Sequence, residues 1–232
     1  MINSVVDFEK IKQLYTKNAE KFRIFRELIL TYHEKYNLTA ILDEREMLIK
    51  HFYDSMAGES FFPYGAEVIE IGSGAGFPSV PLKLIREDLR FTLVESTGKK
   101  CEFLKTAVSK LDLCGVNVCN LRAEDMGKDG KYREKFDVCC ARAVARLNTL
   151  AEYCMPFVKT GGSMIAYKGR AEEEVKEADN ALKLLGGDRA QTVSYELPED
   201  QGMRTLVIVK KIKQTPAKYP RGNGKERKNP II

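Results

Sequence analysis

From Val5 to Tyr36 apolar residues recur three and four apart (Val5, Phe8, Ile11, Leu14, Phe22, Phe25, Leu28, Ile29) with charges between them, which predicts an α-helical N-terminal extension. A short "NLTAI" link, Asn37 to Ile41, leads into "DEREMLIKHFYDSM", where Asp43 is placed to cap a second helix and Glu46 to reach back to it. The period then changes. Strands are predicted at Glu67 to Ile71, Phe91 to Glu95, Asn117 to Leu121, Phe136 to Ala141 and Ser163 to Tyr167. Helical patterns lie between and after them, at Val80 to Glu87, Lys99 to Leu111, Leu147 to Val158 and Glu172 to Leu185. Strand and helix in turn specify an α/β fold, a parallel sheet with helices on both faces. "RTLVIVKK", Arg204 to Lys211, reads as a last strand with no helix before it from about Tyr195 onward, as in an antiparallel hairpin at the sheet edge. The pattern divides the chain into a helical extension over 1–60, a sheet domain over 61–212 and a C-terminal tail over 213–232.

Composition adds little to this division, and charge adds a good deal. Of 232 residues 44% are apolar, enough for a sizeable core, and no apolar run approaches the roughly 18 residues that cross a bilayer. No basic-then-apolar leader pattern is present, so a cytoplasmic protein without a membrane partner is expected, and a monomer. Six cysteines (Cys101, Cys114, Cys119, Cys139, Cys140, Cys154) contain no C-x-x-C and sit in or beside apolar segments, which favours reduced core thiols over disulfides or a metal site. The net charge of +5 is unevenly placed: from Lys210 to Ile232 eight Lys or Arg and one Glu give +7, leaving the body at −2. Lys218, Arg221, Lys225, Arg227 and Lys228, interleaved with prolines and glycines, are candidate RNA-phosphate contacts on a segment expected to be extended and mobile. The competing expectation is that Tyr219, Pro230, Ile231 and Ile232 pack the tail onto the body.

The chemistry is concentrated after the first strand. "VIEIGSGAGFPSVP", Val68 to Pro81, delivers a β-branched strand into Gly72, Gly74 and Gly76 and then into a helix. Such a turn brings backbone N–H groups to a helix start with no Cβ in the way of a ligand. A dinucleotide fingerprint would need glycine at position 77, and Phe77 stands there. Glu95, roughly 20 residues beyond the first glycine, is placed to accept hydrogen bonds from both hydroxyls of a ribose. S-adenosylmethionine, which has no pyrophosphate, suits this turn better than a dinucleotide does. Ala123 and Glu124, after the third strand, could frame its adenine. The fourth strand, "FDVCCARAVA", lacks the D/N-P-P-Y/F segment of amino-group methyltransferases and the Pro-Cys or Thr-Cys pair of cytosine-C5 enzymes, and offers Arg142 with Arg146 four residues on.

These blocks, together with "YNLTAI", "HFYDSM", "GSGAGFPSVPL", "ESTGKKCEFL", "RAE", "ARAVA", "YKG" and "KYPRGNGKERKNPI" in this order, resemble the RsmG (GidB) family of bacterial small-subunit ribosomal RNA methyltransferases from about Asn37 to the C-terminus. The resemblance implies a class I S-adenosylmethionine-dependent methyltransferase, Rossmann-like with a mostly parallel seven-stranded sheet. It further implies transfer to N7 of a guanine in the decoding-region loop of 16S rRNA, free or in the small ribosomal subunit. Carried over by residue, it implies cofactor contacts at Gly72, Phe77, Ala123, Glu124 and Arg142. Departures from the family pattern include Tyr36 for Trp, Glu for Asp at Glu70 and Glu95, Ser79 for Gly, Gly222 for Arg and Glu226 for Pro.

Guanine N7 carries a lone pair and no proton, so alignment and charge, without a general base, must supply the rate. Arg142 is the candidate at the reaction centre, and Asp54 of "HFYDSM" a candidate carboxylate near the base as it becomes positive. His51 is read as structural. The runner-up functions are a nucleotide-cofactor oxidoreductase, a non-catalytic RNA-binding protein and a class I methyltransferase acting on another substrate.

Overall fold

Asp7 accepts a hydrogen bond from the Lys10 N–H at 3.1 Å and so opens α1 (Phe8–Lys17). α2 (Ala19–Tyr36) follows after Asn18 and ends where Asn37 turns left-handed, φ 48°. The structure, a computed structural model, describes residues 6–232, so Val5 of the helical pattern lies outside the described residues. Asp43 caps α3 (Glu44–Met47) through the Glu46 N–H at 2.8 Å, as its position predicts. Glu46 does not complete the box; its carboxylate accepts from Lys50 Nζ at 2.5 Å. The helix widens into a π-helix over Leu48–Tyr53 and continues as α4 (Asp54–Met56).

The alternating region then follows as β1 (Glu67–Ile71), α5 (Ser79–Ile85), β2 (Arg90–Val94), α6 (Gly98–Lys110), β3 (Val116–Cys119), α7 (Ala123–Met126) and β4 (Phe136–Arg142). It continues through α8 (Leu147–Cys154), β5 (Val158–Lys168), α9 (Glu172–Leu184), β6 (Gln191–Glu196), β7 (Met203–Lys210) and α10 (Lys225–Lys228). The seven strands run in the order β3-β2-β1-β4-β5-β7-β6, with β7 antiparallel to both neighbours. The hairpin is therefore real, but its later strand is not the edge: β7 lies between β5 and β6. Leu206 and Ile208 face one core and Val207 and Val209 the other, so β7 is apolar on both faces and is stable only when flanked. Gln191–Glu196, polar except for Val193 and Tyr195, which turn to the core, takes the edge.

Strand alternation divides the apolar residues between two cores. Val68, Val138, Cys140 and Ile165 meet the N-terminal helices, where Phe22, Phe25, Phe52, Phe77 and Phe103 form one aromatic cluster with centroid separations between 5.1 and 6.4 Å. Ile69, Ile71, Cys139 and Met164 meet α8, α9 and the C-terminal segment, including Tyr219. The tail is thus folded, in contrast to the extended, mobile segment expected from its charge. The reason is a set of buried partners for its polar groups. Arg133 donates to the carbonyls of Thr215 (2.7 Å) and Tyr219 (2.8 Å), and Arg221 forks onto the fully buried Glu152 at 2.7 to 3.1 Å. Among the described residues no helix is long and apolar enough to cross a membrane.

Candidate active site at the carboxyl ends of the strands

The strand order reverses at β1 and β4, and a crevice opens beyond their carboxyl ends. Gly72 and Gly74 have φ of +69° and +55°, a region that costs other residues strain. A Cβ on Gly72 would stand 2.7 Å from Val144 Cγ2, so this glycine admits the loop after β4. A Cβ on Gly74 would meet nothing nearer than a carbonyl at 3.8 Å, so that glycine keeps the turn open to a ligand. Glu95, nearly buried, braces the turn: one carboxylate oxygen accepts from the Gly74 N–H at 3.0 Å and the other from the Thr97 N–H at 2.7 Å. Each oxygen keeps a second lone pair for a ligand hydroxyl.

Two cavities of about 310 Å³ each lie here. The first brings together Gly72, Glu95, Ala123 and Glu124, with Tyr153 and Arg227 also in its lining. A hydroxyl acceptor at a glycine turn and a small residue beside a carboxylate fit an adenosine-bearing cofactor. The second is lined by Asp54, Arg142, His51 and Tyr167, with Lys50, Lys168 and Arg204 around them. Ala143, at φ +57°, belongs to both walls.

Arg142 is held on several sides. Its Nη1 donates to Asp54 Oδ2 (3.0 Å) and to the Lys50 carbonyl (3.1 Å) in the π-helix, and its Nη2 lies 3.1 Å from His51 Nδ1. The guanidinium sits 4.8 Å over the Phe77 ring, on which His51 stacks at 4.5 Å. Burial, with the charge of Arg142, pushes the His51 pKa down to about 3, so the ring is neutral; Nδ1 accepts from Arg142 and Nε2–H donates to Thr39 Oγ1 at 2.7 Å. The other Asp54 oxygen accepts from the Tyr195 hydroxyl at 2.9 Å, and burial followed by the Asp54 charge raises the Tyr195 pKa, keeping that donor protonated.

The expected site residues therefore separate. Gly72, Glu95, Ala123 and Glu124 share the first cavity; Arg142 and Asp54 share the second; Phe77 lines neither and supports Arg142 from below. Gly74 and Gly76 shape the turn without lining the cavity. Of the tail cations, Lys218, Lys225 and Lys228 are exposed, Arg221 is committed to Glu152, and Arg227 stands at the first cavity. Sequence reading missed Tyr195, because the largely polar strand β6 gave no apolar run. It also missed Lys168, although "YKG" closes a strand at the end where the other site segments lie. Cys101, Cys139, Cys140 and Cys154 are buried, and burial raises the Cys139 and Cys140 thiols far above their usual range; Cys114 is exposed and Cys119 half-buried, unlike core thiols. Among the described residues no cluster of His, Cys, Asp and Glu is arranged to hold a metal ion.

Comparison with known proteins shows the family and the fold. Residues 18–203 match the family model described as "rRNA small subunit methyltransferase G". Proteins named ribosomal RNA small subunit methyltransferase G from Lactobacillus acidophilus (45% identical over 225 residues, 94% of this chain and 93% of that one) and Staphylococcus aureus (44% over 223 residues, 95% and 93%) are similar along nearly their whole length. Among solved structures, an S-adenosylmethionine-dependent O-methyltransferase from Thermotoga maritima (TM-score 0.54, 14% identity, covering 79% of this chain and 71% of that one) shares the fold. So does an S-adenosylmethionine-dependent methyltransferase from Aquifex aeolicus (0.53, 19%, covering 72% and 94%).

Proposed function

The chain belongs to the rRNA small subunit methyltransferase G family, S-adenosylmethionine-dependent methyltransferases of 16S rRNA, and on that premise we propose that it methylates N7 of a guanine in the decoding-region loop. The observation that supports the reading most is the wall shared by the two cavities. Ala143, the residue after β4, borders both, so a cofactor in the first and a base in the second would meet at the end of that strand.

When bound, S-adenosylmethionine supplies an activated methyl group. The protein's part is positioning. Glu95 holds the ribose hydroxyls through the lone pairs that Gly74 and Thr97 leave free. Arg142, immobilised by Asp54, the Lys50 carbonyl and Phe77, presents a fixed plane of donors to the second cavity. Asp54 uses one oxygen on Tyr195 and the other on Arg142, so it acts by aiming the arginine and by balancing its charge. Lys50, paired with the exposed Glu46, and Arg204 border the same cavity and suit the phosphates flanking a target nucleotide, whereas Lys168 is held by Glu174 (2.7 Å) and the Ala145 carbonyl (2.6 Å). No residue need remove a proton, because N7 has none; neutral His51 serves as a spacer under Arg142. In this scheme residues 61–212 carry the glycine turn, Glu95 and Arg142, the helical extension supplies Lys50, His51 and Asp54 around Arg142, and Lys218, Lys225 and Lys228 reach RNA from the 213–232 segment, in a cytoplasmic enzyme.

The oxidoreductase reading falls away with the family assignment. Mass mapping of 16S rRNA from cells with and without the gene tests the rest: one guanine should lose a methyl group that is released with its base by depurination chemistry specific for N7 alkylation. Loss of methylation at another atom or base would replace the proposed substrate atom.

A further inference from the structure

The most cationic segment of the chain ends at the first cavity. Arg227 of α10 lines it together with Glu95, Glu124, Val144 and Tyr153. Its Nη2 donates to the Val144 carbonyl at 3.2 Å, and it makes no ion pair among the described residues. Burial raises the Tyr153 pKa, while the nearby Arg227 draws it down.

The segment is built to hold this arginine in place. Arg221 forks onto Glu152 and also donates its backbone N–H there at 2.8 Å. Glu226, next to Arg227, is fully buried; its carboxylate accepts the Gly222 N–H, and its carbonyl accepts Thr149 Oγ1 at 3.0 Å. Two buried carboxylates fix a four-residue helix whose neighbouring side chain, Arg227, is directed to the pocket. A solvated RNA tether would need no such anchoring.

We propose that Tyr219–Asn229 is a wall of the cofactor pocket and that Arg227 lays its guanidinium against the adenine of the bound cofactor. This rests on the first cavity being the cofactor site. Arg227 shares the cavity lining with Ala123 and Glu124 of α7, and its segment packs on the end of that helix, where a Cβ on Gly127 would stand 3.2 Å from Pro220 and Lys128 Nζ donates to the Arg221 carbonyl; this sets Arg227 on the side of the residues placed to frame the adenine. A planar guanidinium stacks on an aromatic face in a way that an ammonium does not. The same cation beside the sulfonium would repel it.

Calorimetry with S-adenosylmethionine and with S-adenosylhomocysteine, which share the adenine and differ in the sulfonium charge, tests the placement. Arg227→Ala should weaken both by about five- to tenfold and to the same extent, with an unchanged melting temperature because the side chain is exposed. Arg189→Ala, on the distant α9 side, should bind both as the wild type does. Glu95→Ala serves as the reference for the pocket. If Glu95→Ala weakens binding and folded Arg227→Ala does not, the wall is overturned and the cofactor site stands. Wild-type affinity in both variants would overturn the cofactor site itself. Tighter binding of S-adenosylmethionine alone by Arg227→Ala would place the arginine at the sulfonium and also overturn the proposal.

Discussion

Glu70, the residue before the last of β1, is fully buried with neither carboxylate oxygen hydrogen-bonded, and burial pushes its pKa up to about 7 against the pull of Ser73, Ser79 and Arg142. The unfolded chain releases that proton near 4.3. Its contribution to stability is therefore full below the unfolded value and is lost as pH rises through about 7. His51 acts in the opposite sense: with a folded pKa of about 3 it contributes fully above about 6.5 and less as pH falls. Urea unfolding of Glu70→Gln isolates the first effect. Its stability relative to wild type should improve by about 2 kcal/mol between roughly pH 5.5 and 8; a constant difference would mean that Glu70 is not protonated in the fold. Arg142 supports a second test at this scale. Arg142→Ala would leave the Asp54 carboxylate, whose side chain is 6% exposed, with the Tyr195 hydroxyl and the more distant Arg204 (3.8 Å), and so lower stability along with activity. Arg142→Lys keeps the charge but cannot reach Asp54, the Lys50 carbonyl and His51 at once. It should therefore melt near the wild type while methyl transfer falls at least tenfold, about 1.4 kcal/mol in the barrier, in a single-turnover assay.

At the scale of elements, α10 and α8 depend on one ion pair. Glu152 is fully buried and receives the Arg221 side chain, which is itself 26% exposed. Removing the cation leaves a buried carboxylate with only the backbone N–H of residue 221, which costs about 3 kcal/mol. Differential scanning calorimetry of Arg221→Ala should show a melting temperature lower by roughly 5–10 °C. A near-wild-type melting temperature would mean that the pair is not formed in solution. The π-helix has a comparable local purpose: its wider turn offers the Lys50 carbonyl to Arg142 in the middle of a helix.

At the scale of the whole molecule, the charge asymmetry is divided between structure and surface. Arg221 and Arg227 serve the fold and the pocket, which leaves Lys218, Lys225 and Lys228 exposed for RNA. Replacing these three lysines by alanine should reduce the slope of log affinity against log salt for 16S rRNA fragments by about 2 to 3 units and leave the melting temperature unchanged. An unchanged slope would place the RNA contacts elsewhere, for example on Lys50 and Arg204 around the second cavity.

Periodicity alone was sufficient for most strands and helices, because alternation of period 2 and recurrence of period 3.6 are local properties that burial on one face imposes on the chain. It was also sufficient for the glycine turn and Glu95, since a strand end, a positive φ and a carboxylate at fixed spacing are all written in sequence. Ordered motifs identified the family. Strand β6 was not legible, as an edge strand with only Val193 and Tyr195 turned to the core has a weak apolar signature, and neither was the insertion of β7 beside β5. The partners of Arg142 were hidden for another reason: Asp54 and Tyr195 are 88 and 141 residues apart from their respective partners, Arg142 and Asp54. The tail misled for the same reason. Its composition describes a solvated cationic segment, and only the tertiary structure supplies the buried Glu152 that holds Arg221 and the cavity that Arg227 completes, because the free energy of a charge is set by its neighbours in space and those neighbours come from distant parts of the chain.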